Sequence, residues 1–507
     1  MTKRATAFAL VLPPERSGTP AYRWLYASLR EEILAGRLRS GAKLPATRDL
    51  ARQYRLSRGT IVSAFELLKS EGYLRGAIGS GTYVSNILPD ALLQVTGAPN
   101  PRLSTQGKKK FSVSNYGKRV KLFPSFEIRP SRAFRPNVPA LDLFPTTLWA
   151  QITARRLRRA SMQLLLACDP MGYEPLRDAV ASYLSTSRGV KCRPEQIAIV
   201  SGVQEALDLT ARLFLNPGDR VSMENPGYVG ARMAFEAVGA KVSAVHLDDQ
   251  GMKVRDRSLR ASRLVYITPG HQFPLGITMS LSRRLELLEW ARKSGALIFE
   301  DDYDIEYRYS GPPIPAMQGF DRNGLVIFAG SFSKVLFPSL RLGYLVIPPH
   351  LMTLFAATIS LTVRHAPLAE QAVLCDFITE GHFARHLRRM REVYAERLSV
   401  LLEVAREKLA GLLEISKIEA GLQTVGWLCE GMDGESATTA AAARDVEVFP
   451  LSRYAQGSVA REGLQLGFAA VDAREIRRGV QGLATALEVE SKTFQRPRRS
   501  PDIDKTT

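Results

Sequence analysis

Residues 325–345 read LVIFAGSFSKVLFPSLRLGYL. The first six form a short apolar and aromatic run closed by glycine, the pattern of a fully buried strand. Lys334 stands just beyond its end, and Arg341 follows seven residues later. Working outward, IAIV (197–200), RLVYIT (263–268) and ALIFEDDY (296–303) are runs of the same kind, separated by stretches with helical apolar spacing. Short buried strands alternating with helices predict an α/β fold with a mostly parallel sheet over residues 136–488.

A lysine at the end of a buried strand is either an anion binder or an amine nucleophile. A pyridoxal 5′-phosphate site needs the second, because its lysine condenses with the cofactor aldehyde as a Schiff base. Such a site also needs a carboxylate on the pyridine nitrogen, a donor to the ring oxygen and a phosphate cup. Asp301 and Tyr303, at the end of ALIFEDDY, are placed for the first two roles. The same acidic cluster reads equally as a metal site. SGVQEALDL (201–209) turns from a strand end into a helix, so the backbone N–H groups of Gly202, Val203 and Gln204 suit a phosphate. Arg341 can fork onto the same group. Tyr228, in ENPGYVGAR, is an aromatic able to stack on a pyridine ring.

Upstream, residues 44–84 read LPATRDLARQYRLSRGTIVSAFELLKSEGYLRGAIGSGTYV. Before them, Tyr22 to Ala35 places Leu25, Leu29, Ile33 and Leu34 at helical spacing. Thr47 is a candidate cap for a second helix over 48–55, and Ser57 for a third over 58–72, which Gly72 stops. The glycine-rich run 76–84 reads as a hairpin. Three helices and a two-stranded ribbon over residues 20–87 make a winged helix-turn-helix; from pattern alone, a helical interaction domain with a hairpin competes. In a winged helix the third helix enters the major groove. Its first positions are Ser57, Arg58, Gly59 and Thr60. Arg58 suits a guanine, and Arg48 suits a phosphate. The wing residues Ser80, Gly81 and Thr82 are small enough to approach the duplex.

The chain has 507 residues and a net charge of +19. Residues 1–90 carry 14 Lys and Arg against 7 Asp and Glu, residues 91–135 carry 10 against 1, and the remainder 45 against 42. A basic first quarter on a near-neutral body points to a polyanionic partner. Residues 88–135, with LysLysLys at 108–110, read as a basic flexible linker, and 489–507 as a disordered tail. No window has the ~18 consecutive apolar residues of a membrane span. The N-terminal apolar run is broken by Thr6 and Pro13-Pro14, the expectation being a mature cytosolic start. Four scattered cysteines form no CxxC pair. His382 and His386 have ligand-like spacing but lack the HExxH glutamate, so a solvated helix face is expected and no metal site.

The LP-x-x-R-x-LA element, the LSR-x-T start of the third helix and the GSGT-x-V wing occur in order, and residues 20–87 resemble the GntR-type winged-helix domain. SGVQEALDL, ENPGY, TPGHQFPLG, EDDYDIEYRY, SFSK and RLGYL together resemble a fold-type I aminotransferase, most closely the aminotransferase-like domain of MocR/GabR/PdxR-type regulators. That resemblance implies a cytoplasmic, pyridoxal-phosphate-dependent transcriptional regulator. It would bind a double-stranded operator as a homodimer, head to tail with swapped winged helices, and sense PLP or a small amino compound. It makes Lys334 the Schiff-base lysine, with Ser331 and Arg341 on the phosphate and Ser333 beside them. Asp301 and Tyr303 take the ring roles above, and Tyr228 is the stacking aromatic.

Two positions depart from the aminotransferase pattern. Phe273 replaces the asparagine that donates to the ring oxygen, leaving His271 or Gln272 as substitutes. Gln465 replaces the arginine that grips a substrate carboxylate, and Arg461 is out of register. These departures favour a sensor with at most residual transamination. The alternative is a working class I/II aminotransferase with an appended DNA-binding domain.

Overall fold

A computed structural model of the chain describes residues 18–77, 81–86, 112–123, 131–166, 168–311, 314–416 and 418–495. It divides into two units, residues 1–111 and 112–507.

In the first unit, α1 (Ala21–Leu34), α2 (Thr47–Tyr54) and α3 (Arg58–Ser70) precede a hairpin of β1 (Leu74–Ala77) and β2 (Gly81–Val84). Leu25, Leu29, Ile33, Leu50, Ile61, Phe65 and Leu68, at helical spacing, meet Leu74 and Val84 in one core. The cap of α3 is as expected: the Ser57 hydroxyl accepts from Thr60 N at 3.1 Å. That of α2 is not. Thr47 is already helical, Ala46 is the N-cap, and no side chain caps that end. The hairpin pairs Leu74 with Val84 and Ala77 with Gly81.

The second unit is built on an eight-stranded sheet of β3 (Ile197–Val200), β4 (Arg220–Asn225), β5 (Lys241–Asp248), β6 (Gly251–Met252), β7 (Ser262–Ile267), β8 (Leu297–Asp302), β9 (Val326–Ser331) and β10 (Gly343–Val346). Their order is β3-β10-β9-β8-β7-β4-β5-β6. Strands β9, β8, β7, β4 and β5 are mutually parallel, while β10 and β6 run against their neighbours. Helices cover these strands, which explains why they read as continuous apolar runs without alternation. The carboxyl ends of β8 and β9 therefore share one edge, where ligands bind in open α/β sheets. A second, antiparallel sheet contains β11 (Leu413–Ile415), β12 (Gln423–Leu428), β13 (Phe449–Pro450) and β14 (Gly463–Gly467), in the order β11-β12-β14-β13.

Three expectations need correction. The stretch 88–135 is not linker throughout. Asn115–Arg119 is helical, with Arg119 donating to the Ala237 carbonyl at 3.0 Å, and Ala133 and Phe134 are fully buried. Gly467 lets that segment dock, because a Cβ there would collide with the Arg135 carbonyl. The stretch 489–507 is not tail from its start: the last helix spans Ala473–Gln495, and residues beyond it lie outside the described ones. His386 is not on a solvated face. It is buried, with Nε2 3.1 Å from the Val335 carbonyl. Among the described residues no group of His, Cys, Asp and Glu could hold a metal, and no helix is long and apolar enough to cross a membrane.

Candidate functional site

A cavity of about 450 Å³ opens at the carboxyl edge of β8 and β9. Of the expected cofactor residues, Gly202, Val203, Gln204, Tyr228, Asp301, Tyr303, Ser331, Ser333, Lys334 and Arg341 all line it. They come from separate strand ends, and the parallel register brings those ends together.

Lys334 follows β9, and its Nζ donates to the Asn137 carbonyl at 2.9 Å. Burial drives its pKa down to about 8, against the opposing pull of Asp304 and Asp301. An amine in that range is about one-tenth free base at pH 7 and half at pH 8, far more than an ordinary lysine, and that fraction can attack a carbonyl. Asp301 is buried at the end of β8. Its Oδ2 accepts from the Tyr266 hydroxyl at 2.7 Å, while Oδ1 has no donor. Burial is the main cause lifting its pKa to about 7. A buried carboxylate oxygen without a partner is costly unless a ligand supplies the donor. A protonated pyridine nitrogen is such a donor, so this carboxylate fits pyridoxal phosphate.

On the same cavity, the helix Val203–Phe214 begins after its N-cap Gly202, whose φ of 116° favours glycine. A Cβ there would stand 3.8 Å from the Arg341 guanidinium, so helix start and arginine face one another. Ser331 Oγ accepts from Ser333 N at 3.2 Å, and the Ser333 hydroxyl is buried without a partner. Helix N–H groups, a guanidinium and a spare hydroxyl together could hold a phosphate. Tyr228 stands edge-on to Phe273, their centroids 5.9 Å apart.

His271 does not line the cavity, contrary to expectation. Its Nδ1 lies 2.8 Å from Asp304 and 3.2 Å from the Tyr303 hydroxyl. A carboxylate only accepts, so Nδ1–H belongs to Asp304, leaving the Tyr303 hydrogen to turn toward the cavity. His271 instead stacks against Tyr303, their ring centroids 5.8 Å apart. Gln272 is spent on the Pro226 and Phe273 carbonyls at 2.9 and 2.6 Å. Gln465 is wholly buried and outside the cavity. Its Oε1 accepts from the Tyr454 hydroxyl at 2.6 Å, and Tyr454 stands in the wall. Arg461 is on the surface, paired with Glu414 at 3.0 Å.

Sequence reasoning missed Asn137, Tyr266, Phe449, Arg453 and Tyr454, which also line the cavity. Tyr266 lies in an expected strand, two residues before its end, and alternation could have placed it. The others had no signal of their own.

The amine of Lys334 sets an expected pH dependence. Below pH 8 the protonated lysine cannot attack, so the initial rate of PLP uptake by cofactor-free protein should rise about tenfold per pH unit, then level above about 8. Stopped-flow absorbance checks this; a rise continuing past pH 10 would mean an unperturbed lysine.

In the first unit, Arg58 and Gly59 are exposed at the start of α3, and Arg48 is exposed on α2. Among the described residues neither arginine has a carboxylate partner. The Ser57 and Thr60 hydroxyls meet at 2.8 Å and belong to the cap. Gly81 and Thr82 open β2; Ser80 lies outside the described residues.

Residues 137–443 match the family model of aminotransferase class I and II, and residues 21–84 that of the bacterial regulatory proteins of the gntR family. The chain is 40% identical to the probable rhizopine catabolism regulatory protein MocR of Rhizobium meliloti, covering 93% of this chain and 95% of the relative. It is 28% identical to the pyridoxine biosynthesis regulator PdxR of Corynebacterium glutamicum, covering 92% and 95%. The kynurenine aminotransferase of Pyrococcus horikoshii, solved in complex with PMP, superposes with a TM-score of 0.66 at 29% identity, covering 71% of this chain and 92% of that one.

Proposed function

This chain belongs to the MocR-type transcriptional regulators, a GntR-family winged helix joined to an aminotransferase class I and II domain, and on that premise we propose that its large domain is a pyridoxal-phosphate-dependent sensor. The observation that carries the reading is the cavity itself. A low-pKa lysine and a buried carboxylate with one oxygen lacking a donor face it, together with a helix start, an arginine and a spare hydroxyl suited to a phosphate, while position 465 is outside it. When bound, the cofactor supplies an aldehyde electrophile and an electron sink. Lys334 tethers it, Asp301 takes the ring N–H, Tyr303 donates to the ring oxygen, and Tyr228 packs on the ring. Gly202, Val203, Gln204, Ser331, Ser333 and Arg341 hold the phosphate. The full-length relatives are regulators, which disfavours a working aminotransferase with an appended reader.

The winged helix reads a double-stranded operator through Arg58 and its neighbours, with Arg48 and the wing on the backbone. The protein works in the cytoplasm as a homodimer with winged helices exchanged head to tail. PLP or a small amino compound shifts the population of arrangements in which two readers match two half-sites. A DNase footprint on the gene's own upstream region tests this, using stripped and PLP-restored protein at stated salt. A salt-resistant footprint that changes on restoration, or on adding an amine to restored protein, is expected. A footprint indifferent to both would overturn the sensor role.

A further inference from the structure

Residues 115–123 run from the short helix Asn115–Arg119 to the wall of the cofactor cavity, where Phe123 stands. Two side chains pin this stretch to the second unit. The Tyr116 hydroxyl accepts from Arg212 at 3.3 Å, and Asp208, 2.9 Å from that arginine, holds it in place. Arg119 donates to the Ala237 carbonyl at 3.0 Å, at the carboxyl end of the helix Val229–Val238, where a cation is favoured. Gly239 leaves room for it, since a Cβ there would stand 3.1 Å from the guanidinium. Beneath the stretch lies a second hollow of about 250 Å³, which shares Phe123 and Gln204 with the cofactor cavity. Gln204 in turn has its Oε1 3.4 Å from the Tyr228 hydroxyl. The hold is light. Tyr116, Val120, Leu122 and Phe123 are all exposed, Leu122 by 92%. A helix of five residues does not persist by itself, so this one forms only while docked.

We propose that residues 115–123 are a strap whose grip on the second unit tightens when the cofactor cavity fills, and that this grip carries occupancy toward the winged helix. The inference rests on the sensor reading and deepens it. Phe123 is an apolar ring at the cavity wall, and an occupant covers it only while the strap is docked. Filling also fixes Tyr228 and Gln204, and Gln204 borders the hollow under the strap. By linkage, whatever favours the docked strap favours the occupant, and the reverse. With the strap docked, the chain leading to the winged helix leaves the second unit at the strap. With it released, the nearest fixed point is the buried pair Ala133 and Phe134. That longer tether spreads each reader over more volume and weakens joint engagement of two half-sites.

The test is hydrogen exchange, read by mass spectrometry, on full-length protein with PLP stripped and restored. Lys118 N and Val120 N donate to the Ser114 and Tyr116 carbonyls, and Gly117 N to the Ser114 hydroxyl, so their exchange reports the docked helix. Restoring PLP should slow exchange of the peptide spanning these amides at least fivefold. Arg119→Met lies outside the cofactor cavity. It should keep the cofactor band, leave the strap exchanging fast with or without PLP, and remove the PLP-dependent change in the footprint. Tyr116→Leu should do the same from the other pin, so one variant decides if the other fails to fold. Three results would overturn the proposal: exchange indifferent to PLP in unsubstituted protein that shows the band, a strap still protected in the folded variants, or a PLP-responsive footprint in a variant whose strap exchanges fast. A missing cofactor band in the unsubstituted protein would instead sink the sensor reading, and the strap with it, so the two failures are distinguishable.

Discussion

Replacing Lys334 by alanine should abolish the visible absorbance of the lysine-linked cofactor and cut PLP retention by about a hundredfold, or about 2.7 kcal/mol. The covalent tether is the only interaction removed from the ligand; the Asp301 carboxylate and the phosphate cup remain and should hold residual, gel-filtration-labile PLP. The structural cost is small. Lys334 makes one hydrogen bond, to the Asn137 carbonyl, whose loss is worth about 1 kcal/mol, and its removal enlarges an existing cavity without opening a void in a sealed core. The variant should fold, bind its operator in the ligand-free mode, and fail to respond to PLP. Absorbance after desalting, thermal melting and the footprint read these three properties separately. A surviving lysine-linked band would place the tether elsewhere.

Asp301→Asn should move stability and cofactor affinity in opposite directions. The folded carboxyl has its pKa raised from the ordinary value of 3.8 to about 7, mainly by burial. A group raised on folding supports stability below its unfolded value and loses that support as pH climbs through its folded value. Above pH 7 the cofactor-free protein therefore carries a buried charge with one oxygen unpartnered. Asparagine keeps an oxygen for the Tyr266 hydroxyl and removes the charge. Stripped Asp301→Asn protein should be more stable than the unsubstituted chain by about 1–3 kcal/mol at pH 8, the gain vanishing near pH 4. In the presence of PLP the order reverses. A charge-assisted bond to the ring N–H is lost, costing about 1.5–3 kcal/mol, roughly ten- to a hundredfold in affinity. Melting curves at pH 4 and pH 8, with and without PLP, give all four corners. Destabilisation of the stripped variant at pH 8 would show that Asp301 is held by something other than a ligand.

The two units were legible because their signals are local. Apolar residues at helical spacing and a serine cap announced α1 and α3, and β3, β7, β8 and β9 lie within one residue of the runs that predicted them. A strand buried on both faces must be apolar throughout, and a reactive side chain at its end must interrupt that run, so Asp301 and Lys334 could be read directly. Ala133, Phe134 and the last helical turns were misread because their burial comes from docking on residues remote in sequence, not from any local period. The same applies at the site. His271 was a reasonable donor by position, yet its tautomer and direction are dictated by Asp304, which arrives on a different loop.

Read from the sequence alone were the two-part architecture and the candidates Lys334, Asp301, Gly202 and Arg341, which the fold brings to one cavity, because each stands at or near the end of a periodic element. The remaining cavity wall could be found only in the tertiary structure. Gln465 is withdrawn behind Tyr454 and Arg453 is brought into the wall because the turn at Asn225–Gly227 clamps the segment after β13. Hydrogen bonds between residues more than two hundred positions apart leave no spacing for a sequence reader to find.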